Sequence, residues 1–178
     1  LYRIRELYGC TGVPNVGIKA DPVKQARMIR EAEENDPMLK GRKIHGVADP
    51  AIFNESQGES IAMMQEKSPN FLHWMPGDHT RLAGKMQFHY RLQFDKDGRP
   101  MFQVFDTCKH FIRTIPNLVY SESNVEDIDT TQEDHIYDEC RYVLMENPLS
   151  PKPQAEAVPL RDDPLELDEG KRARFYRI

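Results

Sequence analysis

Apolar and polar positions along this chain switch between a period of two and a period near 3.6. Tyr2 to Tyr8 reads Tyr-Arg-Ile-Arg-Glu-Leu-Tyr, an alternation that predicts a strand. Asp21-Pro22 then offers an N-cap and a proline for the first helical turn, and Val23, Ala26 and Ile29 carry the apolar stripe of a helix that ends by Asp36-Pro37. Residues 43–49 predict a second strand, ending on Asp49-Pro50, because proline cannot donate to a sheet ladder. A short helix is predicted over 59–67, a strand over 71–75 stopped by Pro76, and a helix over 79–92. Residues 93–105 read as a β-hairpin with Asp97-Gly98 at its turn. Helices are predicted over 107–115, stopped at Pro116, and over 133–145.

Strands alternating with helices imply an α/β sheet with helices on its faces. The character changes after Asn147. Pro148, Pro151, Pro153, Pro159 and Pro164 fall among charges with few apolar residues, which predicts a Pro-rich tail or linker over 148–178. The folded domain is expected over 1–147. A strand that starts at the first residue wants a neighbour, and no initiator Met is present. The chain is therefore expected to be a piece of a longer protein.

Composition narrows the class. A length of 178 residues fits one domain and a tail, and no stretch approaches the roughly 18 apolar residues of a membrane span. Leu1 to Arg5 are too charged for a secretory signal. Cys10, Cys108 and Cys140 are odd in number and widely spaced, which suits free thiols in a reducing compartment and offers no zinc pair. The net charge of −5 argues against a protein that simply coats nucleic acid. The distribution of charge is more informative. Residues 121–139 hold eight acids and no Lys or Arg, whereas residues 79–113 hold seven Lys or Arg against three acids. An acidic pole beside a basic flank suits a polyanion bound with the help of divalent cations.

Two acidic features carry the candidate chemistry. Asp49 closes a short apolar run, at the carboxyl end of a strand, where open α/β sheets place their sites. It is alternatively an ordinary Asp-Pro turn. On a helix over 133–145, Asp134 and Asp138 share a face with His135 and Tyr142, opposite Ile136, Cys140, Val143 and Leu144. Acids at a helix start also simply favour the macrodipole, which accounts for Glu133 and Asp134 better than for Asp138. Phe88, Tyr90 and Phe94 read as core rather than as stacking platforms for bases. Carboxylate sites flanked by bases point to a nuclease using Mg²⁺ or Mn²⁺, with two ions activating water and stabilising the leaving oxygen.

Four runs together resemble the nuclease domain of tailed-bacteriophage terminase large subunits. They are Gly46-Val47-Ala48-Asp49-Pro50, His79-Thr80-Arg81-Leu82-Ala83-Gly84, residues 107–116, and Glu133-Asp134-His135-Ile136-Tyr137-Asp138-Glu139-Cys140-Arg141-Tyr142. The resemblance covers about residues 1–147. It implies an RNase H-like fold with a mixed central sheet flanked by helices and a β-hairpin insertion. It implies a metal-dependent endonuclease that cuts concatemeric double-stranded viral DNA during packaging, with a two-metal Mg²⁺ or Mn²⁺ site. Asp49, Asp134 and Asp138 match the metal positions, and His135 joins them as catalytic. Arg81, Lys85, Lys96, Arg99 and Lys109 are expected to hold DNA. Implied partners are an ATPase domain, the small terminase subunit and the portal, in the cytoplasm of an infected bacterium, with no membrane. The family's first catalytic Asp lies on a strand upstream of the one Leu1 to Tyr8 resembles, and no GxxxxGK[ST] phosphate loop occurs in this chain. Other readings are a non-catalytic RNase H-like module binding DNA or protein, and another RNase H-like nuclease or transposase.

Overall fold

The computed structural model describes residues 1–67, 69 and 71–150. Its elements in order are β1 (Tyr2–Arg3), α1 (Pro22–Asn35), β2 (Gly46–Ala48), α2 (Ile61–Lys67), β3 (Trp74–Pro76), α3 (Arg81–Leu92), β4 (Gln103–Val104), α4 (Lys109–Thr114) and α5 (His135–Met145). Short 3₁₀ turns follow β2 at Pro50–Phe53 and α4 at Ile115–Asn117. The chain is thus mixed α/β, as the alternation of periods predicts.

The sheet differs from expectation. In place of one mixed central sheet there are two separate parallel pairs, β1 with β4 and β2 with β3. The period-two run at the start pairs only at Tyr2 and Arg3. Beyond them Glu6 leaves the ladder, and its carboxylate accepts the backbone N–H groups of His110 at 2.5 Å and Phe111 at 3.1 Å. That satisfies donors otherwise left open at the start of α4.

The hairpin is likewise reduced, to the single antiparallel bridge Phe94–Pro100. Its turn forms where predicted. Gly98 takes φ +73°, which glycine tolerates without strain, and Asp95 Oδ1 accepts from the N–H groups of Asp97 and Arg99. The residues that would have continued the hairpin, Gln103 and Val104, pair with β1 instead.

Helices follow the sequence pattern more closely. Asp21 caps α1, accepting from Lys24 N at 2.9 Å, with Pro22 at the first helical position. The main core gathers α3, α4 and α5 around Phe88, Phe102, Cys108, Phe111, Ile128, Ile136, Tyr137, Cys140 and Leu144. Phe88 stacks on Tyr137 with centroids 5.0 Å apart. The expected core aromatics divide: Phe88 is buried, Tyr90 is half-buried, and Phe94 is 74% exposed beside the turn.

α3 and α5 meet at unusually close range. A Cβ on Gly84 would lie 2.0 Å from Cγ of Arg141, so only glycine lets the Arg141 side chain pass between the helices. The start of the Pro-rich segment is held on the opposite end of α3. Gln87 donates to the carbonyl of Leu149 and accepts from its N–H, and Arg91 donates to the carbonyl of Asn147. Residues 151–178 of that segment lie outside the described residues. No helix among the described residues is long and apolar enough to cross a membrane.

Candidate functional site

The carboxyl end of β2 delivers Asp49. The Asp-Pro turn and the positioned acid prove to be one structure. Oδ1 accepts from Ala51 N at 2.7 Å and so caps the 3₁₀ turn, while Oδ2 accepts from the Tyr142 hydroxyl at 2.6 Å. These two hydrogen bonds, the tyrosine's first, hold the Asp49 carboxyl below its ordinary range. Tyr142 is pushed up to about 12, by burial first and then by its bond to Asp49 and the nearby charges of Asp49 and Asp138. Its ring fits because residue 77 is glycine: a Cβ there would sit 2.8 Å from the ring. Gly77 N also donates to Ala48 O at 2.8 Å, which fixes the loop after β3 against the end of β2.

α5 delivers Asp138, four residues before Tyr142 and therefore on the same helix face. Its Oδ1 accepts from Arg81 Nη1 at 3.3 Å, from Arg141 Nη2 at 2.9 Å and from Arg141 Nε at 3.2 Å. No hydrogen bond among the described residues reaches its Oδ2. Arg81 also donates Nε to Asp127 Oδ2 at 2.5 Å. Arg141 is only 1% exposed, and its Nη1, Arg81 Nη2 and the Tyr137 hydroxyl are buried without a hydrogen-bond partner among the described residues.

Asp49 thus bonds the Tyr142 phenol directly, while Asp138 acts on it through its charge alone, and β2 and α5 pack against each other. Asp134 adjoins Asp138 but lies beneath the surface. Burial first, and then the charge of Asp138, raises its carboxyl above the ordinary range. His135 directly follows Asp134 and acts electrostatically on its carboxyl. It is exposed and lines a cavity of 270 Å³ with Tyr8, Gly9, Cys10, Asn15, Val16 and Gly17.

The expected DNA contacts fall into two sets. Lys96, Arg99 and Lys109 are exposed, the first two at the Gly98 turn and the third at the start of α4. Arg81 is committed to Asp127 and Asp138, and Lys85 donates to the carbonyl of Glu126 with its ammonium 5.0 Å over the Tyr120 ring.

The donor set bears on the implied metal. Asp49 and Asp138 supply the hard oxygen donors that Mg²⁺ and Mn²⁺ prefer, from two elements and with an Asp138 oxygen open. Among the described residues no three His, Cys, Asp or Glu side chains form a group that could hold a metal ion. The match to such an ion is therefore one of donor type alone.

Pattern reading missed the cations of the site. Arg141 stands at i+3 from Asp138, a spacing that by itself brings opposite charges together on a helix. Asp127, distant in sequence from Arg81, left no such local signal. Comparison with known protein families, with characterised proteins and with solved structures found no match to this chain.

Proposed function

We propose that this chain is an RNase H-like nuclease domain of the terminase large-subunit type. It acts as a metal-dependent endonuclease that cleaves concatemeric double-stranded DNA. What supports the reading is Asp49, at the carboxyl end of a parallel strand, bonded by Tyr142 of the helix packed against that strand, with Asp138 on the same helix face as Tyr142. Asp49 and Asp138 are the residues to hold Mg²⁺ or Mn²⁺, with Asp134 behind them. Two such ions would supply an activated water and stabilise the leaving oxygen. Tyr142 orients the Asp49 carboxylate, and Lys96, Arg99 and Lys109 hold phosphates. In this proposal the wider partners are an ATPase domain, the small subunit and the portal, in the host cytoplasm.

A second reading, a non-catalytic DNA- or protein-binding module, draws support from the two guanidiniums that neutralise Asp138. Plasmid cleavage in Mg²⁺ or Mn²⁺ separates the two, measured on the chain and on one extended through the preceding strand. Asp138→Asn and Asp49→Asn should each lower cleavage by orders of magnitude while DNA binding persists. The double variant should be little worse than either single one, because ligands that act as a unit are non-additive. His135→Ala should do less, in keeping with the cavity it lines. Cleavage by Asp138→Asn at the wild-type rate would remove α5 from the active site.

A further inference from the structure

The cavity that His135 lines lies between residues 8–17 and the start of α5. A void of about 150 Å³ takes a benzene ring, so 270 Å³ has room for one fused two-ring base. Its glycines are not required by the backbone. Neither Gly9 nor Gly17 takes a positive φ. A Cβ on either would meet its nearest neighbour at 3.4 Å, Ile18 Cγ1 from Gly9 and the Gly9 carbonyl oxygen from Gly17. Side chains would be accommodated there, and their absence leaves bare peptide on which a flat ring can lie.

Asn15 is the reverse case. It holds φ +60°, where glycine is the relaxed choice and asparagine one of the few others tolerated. Its amide is exposed and makes no hydrogen bond among the described residues. The cavity is therefore bare where side chains would fit, and carries an open donor and acceptor where glycine would be easiest. The Cys10 thiol is engaged within its own loop, donating to Val13 O at 3.2 Å and accepting from Gly12 N at 3.3 Å. Glu133, bonded to Tyr8 in the cavity wall, has both oxygens taken by Tyr8 and Arg113, so it does not repel an anion as a free carboxylate would. Two cations are exposed nearby in the chain: Lys19, two residues past Gly17, and Lys109, beside the His110 ring that packs on Tyr8 with centroids 4.5 Å apart.

The amide selects its ligand. One donor beside one acceptor matches N7 and the N6 amine of adenine, the two-bond contact that asparagine makes with that base. Guanine presents two acceptors at the same edge and is refused one of the bonds. We propose that this cavity takes one unstacked adenine base, its N6 and N7 edge against Asn15 and its face on Gly9 and Gly17. Resting on the nuclease reading, the base belongs to a DNA strand held at the acidic site, since His135 directly follows Asp134. Extruding a base costs least where the strand is already single, so the preference is expressed on single strands.

The test uses the full 178-residue chain in EDTA and fluorescence anisotropy of fluorescein-labelled single strands. Each is oligo(dT), unchanged or with one central dA, dG, dC or 7-deaza-dA, which lacks N7. The dA strand should bind roughly tenfold more tightly than the others, within the usual worth of a two-bond base contact. Asn15→Ala should remove that preference and leave oligo(dT) binding as it was. Gly17→Leu, which fills the cavity from an exposed and unstrained position, should do the same, and circular dichroism checks both folds. Equal binding of all strands, or of none, overturns the proposal, as does a dA preference that survives Asn15→Ala. A preference shared equally by dA and dG overturns the assigned edge.

AMP as competitor identifies the source of the base. Indifference to micromolar AMP supports the strand, whereas displacement of the dA strand at that concentration overturns it in favour of a free nucleotide. Plasmid cleavage in Mn²⁺ keeps the two readings apart. No cleavage with an Asn15-dependent dA preference removes the nuclease and leaves the adenine cavity. Asp49-dependent cleavage with no base preference keeps the nuclease and overturns the cavity.

Discussion

Glu133, one residue before the buried Asp134, is held by three donors. Tyr8 gives its hydroxyl at 2.7 Å, and Arg113 gives Nη1 and Nη2, each at 2.7 Å. The Arg113 bonds chiefly, with help from Tyr8, lower the Glu133 carboxyl from 4.5 to about 2. A depressed acid stabilises the fold above its ordinary value, and that contribution is lost as pH falls through the folded one. Thermal unfolding followed against pH should therefore show stability falling between 4.5 and about 2. Glu133→Gln should flatten this segment of the profile. At this scale the sequence was legible where an acid announced itself by position, as Asp49 does before a proline; Asp138, expected beyond the first turn of a helix from Glu133, lies in the first turn because α5 starts at His135. It was illegible where a side chain has a distant partner. Arg81 read as a phosphate ligand, and nothing local marks Asp127 as the acceptor it has in the fold; His135 read as part of the acidic site, and nothing local marks the cavity around Gly9 and Gly17 that it also lines.

The elements themselves depend on how near they approach. Glycine in a helix interior costs about 1 kcal/mol relative to alanine, so Gly84→Ala in α3 would stabilise an isolated helix. Here the new Cβ would meet Arg141 Cγ at 2.0 Å and Cδ at 2.4 Å, in the middle of a buried side chain that cannot swing away. Overpacking of this kind typically costs about 1–3 kcal/mol and should outweigh the propensity gain. Urea denaturation of Gly84→Ala should show a lower midpoint, and a higher one would mean that α3 and α5 separate easily. Helices α1, α3 and α5 were readable because their apolar stripes are local, and α1 has a local cap in Asp21 as well. The strands were read too long. Period-two alternation in Tyr2 to Tyr8 reports a side-chain pattern and not a ladder partner, and Glu6 leaves the pattern to serve α4. The turn at Gly98 was readable from Asp97-Gly98, but the fate of Gln103 and Val104 was set by β1, far away in the chain.

For the molecule as a whole, a net charge of −5 places the burden of DNA binding on a local basic surface. Lys96, Arg99 and Lys109 are its exposed members. Replacing all three by Gln should weaken binding across sequences and reduce the slope of log affinity against log salt by roughly one for each phosphate no longer neutralised. An unchanged slope, measured by titration at several salt concentrations, would move the DNA to another face. The α/β class could be read from the alternation of periods, whereas the division into two parallel pairs could not, because pairing partners are not written in either strand alone.

That division also has a bearing on how the fold is reached. Both ladders are parallel and each closes a long loop, the longer one bringing Tyr2 to Gln103 and Glu6 to an N–H 104 positions away. Such closure costs chain entropy before it is rewarded, so pairing of this kind forms late and slows folding. On the ribosome Tyr2 and Arg3 emerge before α1, α2 and α3, and must wait for all three before their partner strand exists. In that interval an unpaired strand segment stands open to neighbouring chains until β4 arrives to pair with it.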